Sequence, residues 1–142
     1  MITDNDFQSR TQNSGIFFAV QNSFNATALV VDDDPGIQLL LRRMAERARL
    51  KVLTASDGVE ALEIFKRQPV ELVLTDINMP RMDGLQLLGH IKTIQPATFV
   101  VLVTANQHQI ENYHQADLVL GKPFRLQDFE AVLQTFFQTR TS

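Results

Sequence analysis

The chain has 142 residues, which suffices for one globular domain and is too short for two of ordinary size. Hydrophobic residues make up 44% and charged residues 20%, a balance typical of a protein with a buried core. The lack of cysteine excludes disulfide bonds and thiolate metal sites. The net charge of −3 provides no general attraction to nucleic acids or anionic membranes.

Signals for membrane insertion or export are not apparent in the sequence. The longest apolar runs are only as long as a β-strand, so we expect no transmembrane helix. Asp4 and Asp6 stand where a signal peptide would need positive charge. We therefore expect a cytoplasmic protein without membrane association.

The N-terminal residues 1–25 are rich in Asn, Gln, Ser and Thr and show no sustained periodicity, which predicts a disordered arm. The apolar stretch IFFAV at 16–20 is an exception. It either packs onto the domain, which we favour, or docks a partner. The predicted organisation is an arm at 1–25, one domain at 26–138 and a short tail at 139–142.

Short apolar runs alternate with helical patterns along the domain. The predicted strands, in chain order, are residues 28–31, 51–55, 70–75, 99–103 and 118–120. The first helix is predicted to begin at Asp34-Pro35, an N-cap followed by a first-turn proline. The second should follow Asp57-Gly58, and the third should follow a loop at 80–84.

Apolar residues at helical spacing predict which side of each helix faces the core. They are Ile37, Leu40, Leu41, Met44 and Ala48 in the first helix; Ala61, Leu62 and Phe65 in the second; Leu85, Leu88 and Ile91 in the third; and Leu126, Phe129, Val132, Leu133 and Phe136 in the last. Repeated strand–helix alternation favours a parallel sheet with helices on both faces. In such sheets, ligands bind beyond the carboxyl ends of the strands.

Polar residues that could bind a ligand or take part in a reaction follow the predicted strands. The first strand ends at Asp32-Asp33-Asp34, the third at Asp76 and the fourth at Thr104, while Lys122 follows the fifth. Clustered carboxylates repel each other unless a cation relieves them, and oxygen ligands on short loops suit Mg²⁺. The ammonium group of Lys122 could pair with Asp76 and, if Asp76 carried a phosphoryl group, with the phosphoryl oxygens. Asp34, before a proline, is better interpreted as a helix cap.

Five segments together resemble the receiver domain of bacterial two-component response regulators, over about residues 26–137. The matching segments are VVDD at 30–33, ASDGVEAL at 55–62, LTDINMPRMDG at 74–84, VTA at 103–105 and KPF at 122–124. The resemblance implies a flavodoxin-like, doubly wound α/β fold whose five-stranded parallel sheet has the strand order 2-1-3-4-5.

The resemblance also implies roles for individual residues. Asp76 would accept a phosphoryl group from a phosphohistidine. Mg²⁺ would be bound by Asp33, Asp76 and the backbone carbonyl of Asn78, with Asp32 acting mainly through water. Thr104 would hydrogen-bond the phosphoryl group and Lys122 would form an ion pair with it.

Two positions depart from the family pattern. Val119 stands where receivers commonly carry an aromatic residue, three positions before the lysine, and valine offers no ring to change rotamer. Thr104 and Lys122 are 18 positions apart (122 − 104), about one helical turn less than the family spacing. A short fourth helix near 107–115 is therefore predicted. We expect phosphorylation to couple only weakly to this helix and the fifth strand.

Three functions are compatible with a cluster of this kind. The favoured one is a stand-alone, non-enzymatic phosphoacceptor that receives its phosphoryl group from a sensor histidine kinase or phosphotransfer protein and signals through an unknown effector protein, without binding DNA. The alternative is a pseudo-receiver that binds proteins independently of phosphorylation. A dehalogenase-type phosphatase is disfavoured because Asn78, rather than a second aspartate, follows Asp76 by two positions. His90, His108 and His114 share no metal-ligand spacing.

Overall fold

The computed structural model describes residues 26–106 and 115–141. These residues form five strands and four helices, in this order: β1 Thr27–Val31, α1 Pro35–Arg47, β2 Lys51–Ala55, α2 Gly58–Arg67, β3 Leu72–Asp76, α3 Gly84–Ile94, β4 Phe99–Thr104, β5 Leu118–Gly121 and α4 Leu126–Thr141. The predicted arm at 1–25 and nearly all of the predicted short helix at 107–115 lie outside the described residues.

The strands form one parallel sheet in the order β2-β1-β3-β4-β5. This confirms the predicted flavodoxin-like topology. The order reverses between β1 and β3, and that is where an open α/β sheet has its binding crevice. β3 begins at Leu72 rather than at residue 70, and Leu72 pairs with Ala28 of β1.

Each face of the sheet is covered by two of the described helices. Side chains that alternate along the strands fall into two buried clusters, one with α1 and α4 and the other with α2 and α3. The central strands β1 and β4 are buried throughout, which explains their continuous apolar sequences. Within the described ranges, no helix combines the length and apolar character that crossing a membrane requires.

The inner faces of α1 and α4 differ in detail from the predicted stripes. Leu40 and Leu126 are 45% and 41% exposed, whereas Phe137 is fully buried. Helix α4 also continues to Thr141, past the predicted domain boundary at residue 138. The Thr139 hydroxyl donates to the Phe136 carbonyl and Arg140 lies over the Phe136 ring, so these two residues of the predicted tail contact the helix that they continue.

Candidate functional site

The parallel strands bring the predicted site residues to one edge of the sheet. Asp32 directly follows β1, Asp76 is the last residue of β3, and Thr104 is the last residue of β4. Asp76 is level with Val103, and Thr104 is level with Gly121 at the end of β5. Lys122 therefore leaves the sheet beside the carboxylates.

Three carboxylates form an acidic cluster at this edge. Asp32, Asp33 and Asp76 each contribute an oxygen that lies within 4.8 Å of the other two. Asp32 is buried and Asp33 is exposed. Asp34 is not part of the cluster: its side chain accepts hydrogen bonds from the backbone N–H groups of Gly36 and Ile37, as the N-cap of α1. The helix-cap interpretation of Asp34 is therefore confirmed.

Lys122 interacts with two of these carboxylates. Its Nζ lies 3.0 Å from Asp32 Oδ2 and 3.6 Å from Asp76 Oδ1. The closer partner is thus Asp32, whereas the sequence suggested Asp76. A side chain as buried as Asp32 has lost its solvation and depends more on a cation. Its other oxygen, Oδ1, accepts the backbone N–H of Asp34 at 2.9 Å, so both Asp32 oxygens have a protein donor.

Asp76 is held in an environment that disfavours its charge. Burial is the largest cause that raises the pKa of its carboxyl above the ordinary value, and the negative charges of Asp32 and Asp33 raise it further. Lys122 and the backbone N–H of Ile77, which donates to Oδ1 at 2.8 Å, act in the opposite direction. A bound cation would reduce the repulsion among these carboxylates and so stabilise the ionised form of Asp76.

Thr104 is buried, with its hydroxyl at the end of β4. Its Oγ1 accepts the backbone N–H of Asn106 at 3.0 Å, which shapes the turn after the strand. Its carbonyl accepts the backbone N–H of Lys122 at 2.8 Å. The hydroxyl proton can still be donated, because the hydrogen bond to Asn106 uses only a lone pair.

The loop after β3, residues 77–83, carries Asn78, which is exposed. Gly84 closes this loop: its N–H donates to the Ile77 carbonyl at 2.8 Å, and a Cβ at Gly84 would overlap the Asp76 carbonyl oxygen. The close approach of the helix to the strand therefore depends on the missing side chain. The sequence indicated only a turn or cap glycine here.

Two supporting contacts were not predicted from the sequence. Gln38 Nε2, on α1, donates to the carbonyls of Asp32 and Ala55 at 3.0 Å each, which ties the end of β1 to the end of β2. Arg81, in the loop after β3, pairs with Asp57 at the start of α2. Gln38 falls on the predicted helix and Arg81 within a family motif, but neither pattern indicates the partner.

The acidic cluster suits Mg²⁺ in donor type and in size. Carboxylate and carbonyl oxygens are its preferred protein ligands, and oxygens on one octahedral ion lie about 3–4 Å apart. The 4.8 Å spread of the three carboxylate oxygens approaches this span. Small side-chain movements can therefore bring two of them onto one ion, and Asp33, being exposed, has the most room to move.

Comparison with known proteins places the chain in a family. The family model described as the response regulator receiver domain matches residues 28–134. The chain is similar to the transcriptional regulatory protein GlrR of Escherichia coli, with 41% identity over 57% of the chain. That match spans only 18% of the length of GlrR.

Other relatives match over nearly their full length. A probable chemotaxis protein CheY of Rhizobium etli is 33% identical over 77% of the chain and 90% of its own length. The crystal structure of response regulator protein TrrA of Thermotoga maritima, in complex with Mg²⁺-BeF, is 30% identical with a TM-score of 0.74, and the match covers 78% of this chain and 98% of TrrA. The chain therefore belongs to the response regulator receiver domain family.

Proposed function

We propose that the protein is a phosphoacceptor whose Asp76 takes a phosphoryl group from a phosphohistidine of a sensor histidine kinase or phosphotransfer protein. The observation that carries this proposal is the Asp76 carboxylate itself. Asp76 is the last residue of β3, and its carboxylate lies in the acidic cluster with Asp32 and Asp33, 3.6 Å from the Lys122 ammonium. The protein would signal through contacts with an effector protein and would not itself be an enzyme.

Phosphoryl transfer depends mainly on positioning and charge neutralisation, and the side chains present suit that task. An Asp76 carboxylate oxygen would form a bond to phosphorus while the P–N bond of the donor breaks, its electron pair remaining on the imidazole nitrogen. Lys122 would neutralise the added negative charge, and the Thr104 hydroxyl would donate a hydrogen bond to a phosphoryl oxygen. The Ile77 N–H orients the acceptor carboxylate.

Mg²⁺ would be held by Asp33, Asp76 and the carbonyl of Asn78. When bound, it would reduce the repulsion between the acceptor carboxylate and the incoming phosphoryl oxygens. A role for Asp32 through water is supported by its two oxygens, which already accept hydrogen bonds from Asp34 and Lys122. The similarity to TrrA, whose structure contains Mg²⁺-BeF, also supports this arrangement.

The first prediction concerns the acceptor residue. Incubation with acetyl phosphate and Mg²⁺ should add one phosphoryl group to the protein, measured as intact mass. Asp76→Asn should abolish the adduct, because an amide oxygen is a much poorer nucleophile and the substitution is nearly isosteric.

Asp83→Asn provides a matched control on the same loop. Asp83 caps α3 by accepting the backbone N–H of Gln86 at 2.8 Å, and asparagine caps helices equally well. This variant should be labelled like the wild type. Labelling that persists in Asp76→Asn would move the acceptor elsewhere, and an unlabelled wild type would favour the phosphorylation-independent binding module.

A further inference from the structure

An ion pair ties the loop that follows the phosphoacceptor to the start of α2. We call residues 77–83 the phosphoacceptor loop. From this loop, Arg81 Nε and Nη2 lie 2.9 Å and 2.8 Å from Asp57 Oδ2. The Asp57 side chain is only 12% exposed, so it is more shielded from solvent than the carboxylate of an ordinary surface pair.

Asp57 uses its two oxygens for two different elements. Oδ1 accepts the backbone N–H of Glu60 at 2.9 Å and caps α2, whereas Oδ2 accepts the Arg81 guanidinium. The Glu60 N–H and then Arg81 hold the pKa of the Asp57 carboxyl below its ordinary value, against the effect of burial. One ionised carboxylate therefore joins the first turn of α2 to the phosphoacceptor loop.

A second contact lies beside the ion pair. The Gly58 N–H donates to the Met82 carbonyl at 3.1 Å. A Cβ at Gly58 would lie 2.5 Å from that carbonyl oxygen, so only glycine permits this approach of α2 to the loop. Arg81 and Met82 thus attach the loop to α2, and the hydrogen bond from Gly84 to Ile77 attaches its beginning to the start of α3.

The backbone conformation of Arg81 has an energetic cost, which the ion pair with Asp57 can offset. Arg81 has a φ of 69°, in the left-handed region that non-glycine residues rarely adopt. The side-chain contact with Asp57 helps to maintain this conformation. Loss of the pair would therefore release the turn three residues after Asn78.

We propose that Asp57 and Arg81 are a positioning pair, which holds the phosphoacceptor loop so that the Asn78 carbonyl faces the acidic cluster. This inference rests on the proposed function, since it assigns the pair a role through the Asn78 carbonyl as a Mg²⁺ ligand. Neither residue is among the proposed ligands of the ion or the proposed partners of the phosphoryl group. The pair acts on metal affinity by restricting the loop, in the manner of outer residues that orient metal ligands.

The test is a double-mutant cycle on Mg²⁺ affinity, measured by calorimetric titration. Asp57→Asn removes the charge but keeps a good N-cap. Arg81→Gly removes the guanidinium and accepts the left-handed backbone, so it adds no strain. Each variant should raise the Mg²⁺ dissociation constant about tenfold. The double variant should be no weaker than either single one, because all three lack the same contact.

Lys92→Met separates positioning from general destabilisation. Lys92 bonds with Asp117 and with two backbone carbonyls at the opposite edge of the sheet from the acidic cluster. This variant should lower the urea midpoint while leaving the Mg²⁺ dissociation constant unchanged. An unchanged dissociation constant in Asp57→Asn, or effects that multiply in the double variant, would overturn the positioning role.

The same titrations separate this inference from the proposed function. Wild-type protein should bind Mg²⁺, Asp33→Ala should lose that binding, and acetyl phosphate should label Asp76. If these results fail, the proposed function fails and the positioning role falls with it. If these results are obtained, the double-mutant cycle alone decides whether Asp57 and Arg81 position the loop. The Asp57→Asn and Arg81→Gly variants should still be labelled at saturating Mg²⁺, because the acceptor and its cation Lys122 are unchanged.

Discussion

At the scale of single residues, steric space matters as much as charge for the acceptor loop. Gly84 begins α3 directly against the backbone of Asp76, where any side chain would overlap the Asp76 carbonyl oxygen. Gly89, about one and a half turns later in the same helix, has open space around it: a Cβ added there would meet no heavy atom within 4 Å. Two glycines of one helix thus have opposite requirements.

These two positions yield a paired prediction. Gly84→Ala should lower the free energy of unfolding by about 1–3 kcal/mol, because the added methyl group displaces backbone that cannot easily move. Gly89→Ala should raise it by about 0.5–1 kcal/mol, because alanine loses less backbone entropy in a helix. Urea denaturation measures both. A neutral Gly84→Ala would mean that the start of α3 can shift away from β3.

At the scale of elements, β5 is anchored by side chains at its beginning. The Asp117 N–H donates to the Val100 carbonyl and Asp117 Oδ2 accepts the Val100 N–H, both at 2.8 Å. Lys92 Nζ also donates to Asp117 Oδ2 at 2.8 Å and to the Thr98 carbonyl at 2.6 Å. The start of β5 is therefore attached to β4 and α3 by contacts among described residues.

This anchor predicts a large effect of Lys92→Met on stability. The Lys92 side chain is only 13% exposed, and its removal leaves Asp117 and two carbonyls without their cationic donor. The free energy of unfolding should fall by about 1–3 kcal/mol in urea denaturation. The exposed Arg42–Glu46 pair is the control: Arg42→Ala should cost no more than about 0.5 kcal/mol. Equal costs would show that Lys92 is not an anchor.

Val119 lies on β5, level with Leu102, and is half-buried against the cluster that contains Leu102. Its methyl groups already pack, so the side chain has little reason to change rotamer. The expectation of weak coupling to phosphorylation also involves residues 107–114, which lie outside the described residues, and it stays a prediction.

At the scale of the whole molecule, the acidic cluster makes stability depend on pH. The folded protein holds the proton of Asp76 more tightly than the unfolded chain does, because the pKa of Asp76 is raised. Its contribution to the free energy of unfolding therefore falls as pH rises from the ordinary pKa of 3.8 through the raised value. Below this window both states are protonated and the contribution no longer changes with pH.

The resulting prediction compares wild type with Asp76→Asn in EDTA. At about pH 7 the variant should have the higher free energy of unfolding, and the difference should shrink towards about pH 4, where Asp76 becomes neutral. Mg²⁺ should reduce the difference at pH 7 by stabilising the wild type. Urea denaturation at each pH provides the measurement. A less stable variant at pH 7 would show that attraction to Lys122 outweighs the burial of Asp76.

Much of the fold followed from local patterns. The strands at 51–55, 99–103 and 118–120 differ from the observed ones by at most one residue, and Asp34 caps its helix as expected. The error on α1 has a tertiary cause. Leu40 is apolar at a plausible helical spacing, yet Leu41, Met44 and Ala45 face the sheet, and only the rotation of α1 against the sheet decides which side is buried.

The sequence by itself determined which residues meet at the site. The carboxyl ends of parallel strands share one edge, so Asp32, Asp76 and Thr104 had to converge once the strands were recognised. The tertiary structure alone decided how they are supported. Lys122 bonds most closely with Asp32, 90 positions away, and Arg81 pairs with Asp57, 24 positions away. Such partners depend on loop paths and on which carboxylate is more deeply buried, and neither leaves a periodic signal in the sequence.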